Sequence, residues 1–242
     1  MGKGHKKGEP CQDIVAGASS QKINWCTMEF TEFQMDALQE LANIGSAHSA
    51  TTLSQMLNTN IGMSVPKIDI IDISKVGDFL TDELTTMVVF ELQGEIPHGG
   101  FLILHFPRDS AKRTADIMQG IDSQSKLVSQ TKFDNPFSEM DQSAILEVGN
   151  IMVSSFLSAA SDLIGMLMLP SPPVLVVDMA HAAITSLVAQ MTVEVDDVIL
   201  FKVKLTSDEH KIAGNILIFL EVNTLQQIAL KLEEMIKGGT PA

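Results

Sequence analysis

One four-residue pattern occurs twice in this chain at a fixed displacement. Asp36, Glu40, Asn43 and Pro66 are separated by three, two and twenty-two residues, and Ser143, Glu147, Asn150 and Pro173 repeat those gaps 107 positions later. Such a repeat requires one unit to be built twice, with the same local structure at both addresses. Residues at i, i+4 and i+7 share a stripe of an α-helix. Asp36, Glu40 and Asn43 therefore face one way, and Leu38, Leu41 and Ile44 largely another. Ser143, Glu147 and Asn150 share a second stripe, offset from Ile145, Val148 and Ile151.

The surrounding pattern fills in the unit. From Thr31 to Leu57 apolar residues recur at helical spacing (Phe33, Ala37, Leu38, Leu41, Ile44 and Leu53, with His48 on the same side), and Thr31 is placed to cap. Extended runs are expected over Lys67–Ile73, Thr85–Ile96 and Gly99–Phe106, the last two joined by the turn Pro97-His98-Gly99-Gly100, before a short helix over Asp109–Gln119. The order then begins again. Ser138 is expected to cap a helix reaching about Leu169, ended by Pro170-Ser171-Pro172-Pro173. Val174–Met179 is extended, Thr185–Val195 and Val198–Leu205 form a hairpin around Asp196-Asp197, and Lys211–Glu221 is a further strand. A last helix runs from an Asn223 cap to Lys237, with Gly238-Gly239 as its stop. Both motif helices turn small after the motif (Gly45-Ser46-Ala47, Ser154-Ser155), which predicts close packing against the sheet or each other. The fold class is α+β: internally duplicated helix–three-strand–helix units with pseudo-two-fold symmetry, their two long motif helices lying against a β-sheet. Residues 1–28 read as a flexible leader with a basic start, and 29–242 as a single domain. Its repeats span 29–120 and 137–238, joined by a polar linker.

Composition removes several function classes. The 242 residues carry a formal charge of −14, against a broad electrostatic footprint for nucleic acid or an anionic membrane surface. Cys11 and Cys26 make neither a disulfide scaffold nor a zinc site. The apolar helix of the second copy is interrupted by Glu147, Asn150 and Asp162, which argues against membrane insertion, and no secretory signal is evident. A cytoplasmic location is expected. His48 reads as a packing residue, and His98 and His105 lack partners at metal spacing. Gly99-Gly100 is a hairpin turn rather than a phosphate loop, and the fourteen methionines read as core filler.

The four motif members divide by chemistry. Proline fixes φ and opens the following strand, so Pro66 and Pro173 are architectural. A carboxylate near a helix start is favoured by the macrodipole, which accounts for Asp36 and makes Ser143 secondary. Neither argument accounts for Glu and Asn at matching places in both copies, because Asn is a poor helix-interior residue. A carboxamide both donates and accepts, so it orients a water without changing protonation state. A carboxylate one turn away pairs with a cation on a partner. The pair looks built to complete an active site that another molecule carries.

The pattern Asp/Ser-x3-Glu-x2-Asn-x22-Pro resembles that of the CheC / CheX / FliY phosphatases of chemotaxis. Two complete motifs with three-stranded units are most similar to CheC. The resemblance implies a phosphatase acting on the aspartyl phosphate of the response regulator CheY. Glu40 and Glu147 would pair with the regulator's lysine, and Asn43 and Asn150 would orient the attacking water. Mg²⁺ would be held by the regulator, the chain having no cofactor of its own. It also implies CheD as a partner. Two other readings are carried: a non-catalytic adaptor for CheD or a receiver domain, and a structural flagellar-switch component. The intact Glu/Asn pairs count against the adaptor. The chain ends at Ala242 without the FliY-type switch domain, which counts against the switch component.

Overall fold

The computed structural model describes residues 23–25, 28–72, 84–96, 100–121, 137–189 and 197–237. Cys11, Cys26, the turn at 97–99, the linker after Ile121, Asp196 and Gly238-Gly239 lie outside them. At the end of the expected leader, β1 (Ile23–Trp25) pairs antiparallel with β2 (Met28–Phe30), which begins at the leader's last residue.

The first copy contains α1 (Glu32–Leu57), β3 (Gly62–Met63), β4 (Lys67–Asp72), β5 (Leu84–Gly94), β6 (Gly100–Pro107) and α2 (Arg108–Met118). The second contains α3 (Glu139–Ile164), β7 (Met168–Pro170), β8 (Val174–Met179), α4 (Ala180–Val188), β9 (Asp197–Ser207), β10 (Ile212–Glu221) and α5 (Val222–Lys237). Both ends of α3 lie 107 positions beyond those of α1, and β8 keeps the same displacement from β4. The caps repeat as well. Thr31 and Ser138 each accept from the backbone N–H three residues on, and Gln34 and Asp141 return the bond to the cap N–H. Both helices stop on a left-handed residue, Asn58 at φ 47° and Gly165 at φ 66°.

Two expectations about the second copy are corrected here. Its motif helix ends at Ile164 rather than near Leu169, because Gly165 reverses the chain before the proline run begins. Residues 185–188 are the last turn of α4 rather than a strand; the alanine-rich start at Ala180 nucleates a helix that the β-branched residues after it had masked.

The sheet is where the copies merge. The strand order is β3-β9-β10-β6-β5-β7, with β4 also on β9 and β8 also on β5, every pairing antiparallel. The β5–β6 hairpin of the first copy therefore receives β7 and β8 from the second, and the β9–β10 hairpin receives β3 and β4 from the first. The β6–β10 pair is the seam between them.

The helices α1, α2, α3 and α5 cover one face of this sheet. Leu38, Leu53, Phe90, Leu104, Ile145, Val203 and Ile216 fill the space beneath them. The other face carries a smaller cluster of Met87, Val89, Ile103, Leu200, Leu217 and Phe219, closed by Ala180, Ala183 and Ile184 of α4. By length and composition alone α3 would pass as a membrane span. Half of its most apolar window is buried in this core.

The small residues after each motif pack the two long helices on each other. A Cβ on Gly45 would lie 2.5 Å from the Phe156 ring, so only glycine lets the ring lie flat on α1. Ser49 Oγ donates to the Met152 carbonyl at 2.9 Å. These two contacts exchange under the 107-residue relation: Gly45 corresponds to Met152 and Ser49 to Phe156. The crossing pairs a small residue with a large one on both sides of the pseudo-dyad. Burying a ring like that of Phe156 contributes about 2–3 kcal/mol.

Candidate functional site

With Leu38, Leu41, Ala42, Gly45, Ser46 and Ser49 turned inward, the motif stripe of α1 faces solvent. Asp36 and Glu40 are exposed and Asn43 is half-buried. On α3 the inward face is Ile145, Val148, Gly149, Met152 and Val153, and Ser143, Glu147 and Asn150 are all exposed. The structure thus places Glu and Asn side by side on an open helical surface twice.

The two pairs differ in detail. Asn43 Nδ2 donates to Glu40 Oε2 at 3.4 Å. Among the described residues Glu147 and Asn150 make no such bond. A long, exposed hydrogen bond of this kind contributes little stability but narrows the rotamers available to both side chains. Pro66 is buried, and its carbonyl accepts from Gln39 Nε2 at 2.8 Å, tying the connection to α1 one residue before Glu40. Pro173 is only partly buried, and Leu146, the counterpart of Gln39, has no amide to offer.

Each motif-helix start is anchored on the other copy's last helix. Gln34 Nε2 donates to Glu233 Oε2 at 2.9 Å. Across the pseudo-dyad Gln119 Nε2 donates to Asp141 Oδ1 at 2.9 Å, where Lys112 also binds at 3.0 Å. Lys112 pairs with Asp116 as well. Asp141 is almost fully buried. Burial opposes its charge, but hydrogen bonds from Lys112, Gln119 and Ser138 outweigh that and hold the carboxyl below the ordinary carboxylate range. For Lys112 burial likewise opposes the charge, and the bonds and charges of Asp116 and Asp141 raise it overall.

Three expectations about individual residues change. His48 is exposed rather than packed, and Phe33 is 40% exposed rather than core. The small residues at 42, 45, 46 and 49 pull α1 onto α3 and set the buried face one residue earlier than the large apolar residues imply. Met140 stands 65% exposed, so not every methionine is core filler. The anchors Gln34, Asp141 and Glu233 went unread in the sequence. Residues 34 and 141 share the 107 displacement, but differ in type. Among the described residues there is no group of three or more side chains suited to hold a metal ion.

The profile of the CheC-like family matches residues 33–70 and 140–177, each beginning just before one motif and ending just after its proline. The CheY-P phosphatase CheC of Bacillus subtilis (strain 168) is 31% identical over 159 residues, covering 64% of this chain and 71% of that protein. The chain belongs to the CheC-like family. Its fold is also that of the solved FliY of Thermotoga maritima, with a TM-score of 0.65 at 19% identity over 86% of this chain and 99% of that one. The FliM middle domain of H. pylori has the same architecture, with a TM-score of 0.57 at 12% identity over 84% of this chain and 99% of that one.

Proposed function

We propose that the chain is a cytoplasmic phosphatase for the aspartyl phosphate of a CheY-like response regulator, with Glu40/Asn43 and Glu147/Asn150 as two separate sites. The observation that carries this is the pairing of Glu and Asn on two solvent-facing stripes of a CheC-like fold. An exposed helical pair has no pocket of its own, so the reacting group must be brought in by the partner. Glu40 or Glu147 pairs with the lysine beside the regulator's phosphoaspartate. The carboxamide of Asn43 or Asn150 then reaches the acyl phosphate and holds a water in line with the P–O bond to the aspartyl carboxylate. The water oxygen bonds phosphorus, that P–O bond breaks, and inorganic phosphate leaves a free aspartate. Asp36 and Ser143 flank the contact. Mg²⁺ belongs to the regulator's site and neutralises the phosphoryl oxygens there. A CheD-type deamidase is a second partner in keeping with the family.

Orienting the nucleophile is worth on the order of 10²-fold in rate. The acyl-phosphate half-life of the cognate regulator is measured with wild-type protein, Asn43→Ala, Asn150→Ala and the double variant. Each single variant is expected to retain the contribution of the other site, and the double variant to fall about 10²-fold. Wild-type activity in the double variant would remove the catalytic assignment, and an unchanged half-life with wild-type protein would favour an adaptor.

A further inference from the structure

The motif stripe does not begin at Asp36. On α1 the residues 33, 36, 40, 43 and 47 recur at alternating gaps of three and four, which confines them to an arc of about 80°. On α3 the same arc holds 140, 143, 147, 150 and 154. Its first members are Phe33, 40% exposed, and Met140, 65% exposed, which lie 107 positions apart. Single exposed apolar residues are ordinary. Recurrence at one address in both copies is not. Among the other exposed large apolar side chains in the stretch that keeps this displacement, Val65 answers to Pro172, Leu167 to Asn60, Leu169 to Gly62 and Val174 to Lys67. Among the described residues of that stretch, Phe33 and Met140 alone correspond.

Neither is explained by the helix itself. Both sit one residue inside the first helical position, between the cap residue and the residue that closes the capping box, so neither takes part in the cap bonds. An exposed phenylalanine is also a mediocre helix former there. The remainder of each stripe is polar or small: Asp36, Glu40, Asn43 and Ala47 on one helix, Ser143, Glu147, Asn150 and Ser154 on the other. Exposed ion pairs contribute little affinity, so a glutamate and an asparagine cannot by themselves hold a protein partner. Buried apolar anchors ringed by polar contacts do.

We propose that Phe33 and Met140 are the apolar anchors of the two sites, each docking against an apolar patch of the phosphorylated receiver domain. That patch lies about 10 Å along the helix axis from where the glutamate meets the regulator's lysine. The inference rests on the stripes receiving a receiver domain, as proposed above. The residue types differ in consequence: phenylalanine presents a rigid face, and methionine adapts to varied surfaces, so the α3 site tolerates a wider range of regulators.

The test reads each anchor on its own site. Phe33→Ala is made in an Asn150→Ala background and Met140→Ala in an Asn43→Ala background, with phosphorylated cognate regulator as substrate. KM is expected to rise about tenfold for each, with kcat within about twofold. Phe33→Leu is expected to recover most of the affinity. Leu230→Ala, an exposed apolar residue off the stripe, serves as the control and leaves KM in place. An unchanged KM, or a fall confined to kcat, would overturn the anchors while leaving the phosphatase reading intact. Full activity in Asn43→Ala/Asn150→Ala would instead remove the phosphatase reading beneath them. Both side chains are exposed, so a thermal melt matching the parent's is expected, and a lowered one would count them as structural.

Discussion

The two copies agree in backbone and disagree in chemistry, most plainly where the same contact is made twice. At the start of α1 a neutral amide, Gln34, meets the carboxylate of Glu233; at the start of α3 a buried carboxylate, Asp141, gathers Gln119 and the ammonium of Lys112. At the seam, Phe101 lies opposite Phe219 on β10, and towards the other end His105 lies opposite Asn215. The aromatic end belongs to the cluster closed by α4. At the polar end Asn215 Nδ2 lies 3.1 Å from His105 Nδ1, and Lys202 stands close by. The difference shows which constraints a duplicated frame keeps. The caps and lengths of the two motif helices and the small-against-large crossing are retained, while the polar partners around them are exchanged.

The largest expected effect breaks the comparison at the seam. Burial, reinforced by the Lys202 charge, pushes His105 down from 6.5 to about 4. A depressed histidine stabilises the fold fully above 6.5 and loses that contribution as pH falls towards 4. The unfolding free energy of wild-type protein, from denaturant melts, should therefore drop between these pH values, by up to about 3 kcal/mol. His105→Gln should flatten that dependence, and an unaltered pH profile would show that the ring is not held neutral.

Next comes the anchoring of the helix starts. Asp141→Ala takes a charged partner from Lys112, an acceptor from Gln119 and the return bond from the Ser138 cap, and is expected to cost about 2–3 kcal/mol, whereas Gln34→Ala costs about 1. Equal losses in urea melts would erase the distinction between ionic and neutral clamps. An effect smaller than loss of the ionic clamp sharpens the symmetry at the crossing. Gly45→Ala presses on the Phe156 ring and is expected to cost about 1–2 kcal/mol. Phe156→Leu should recover part of that in a double-mutant cycle, and additive losses would mean that the two residues do not share the contact.

Much of this was legible in the sequence because the repeat fixes local structure. The bounds of α1, its Thr31 cap, the Ser138 cap and the strand at Val174–Met179 follow from periodicity and from chemistry within a few residues. The solvent-facing stripes holding Glu40, Asn43, Glu147 and Asn150 follow in the same way. What was not legible depends on residues distant in the chain. Nothing local reveals that β4 pairs with β9 or β8 with β5. Nor does periodicity reveal that Phe33 and His48 turn outward, since a helix packed through Gly45 and Ser49 buries its small residues. The helix α4 was hidden because Ile184, Thr185 and Val188 carry strand propensity, which the burial of Ala180, Ala183 and Ile184 against the sheet overrides.

The exchange of β3 and β4 for β7 and β8 gives this chain the character of a dimer whose subunits happen to share one polypeptide. Each half supplies strands that complete the other's sheet, so neither half owns a finished core, and the platform under each motif helix is partly the neighbour's property. Damage to one hairpin is felt beneath both helices. The same linkage leaves the outward stripes free to drift apart, because specialising one of them asks nothing of the shared scaffold.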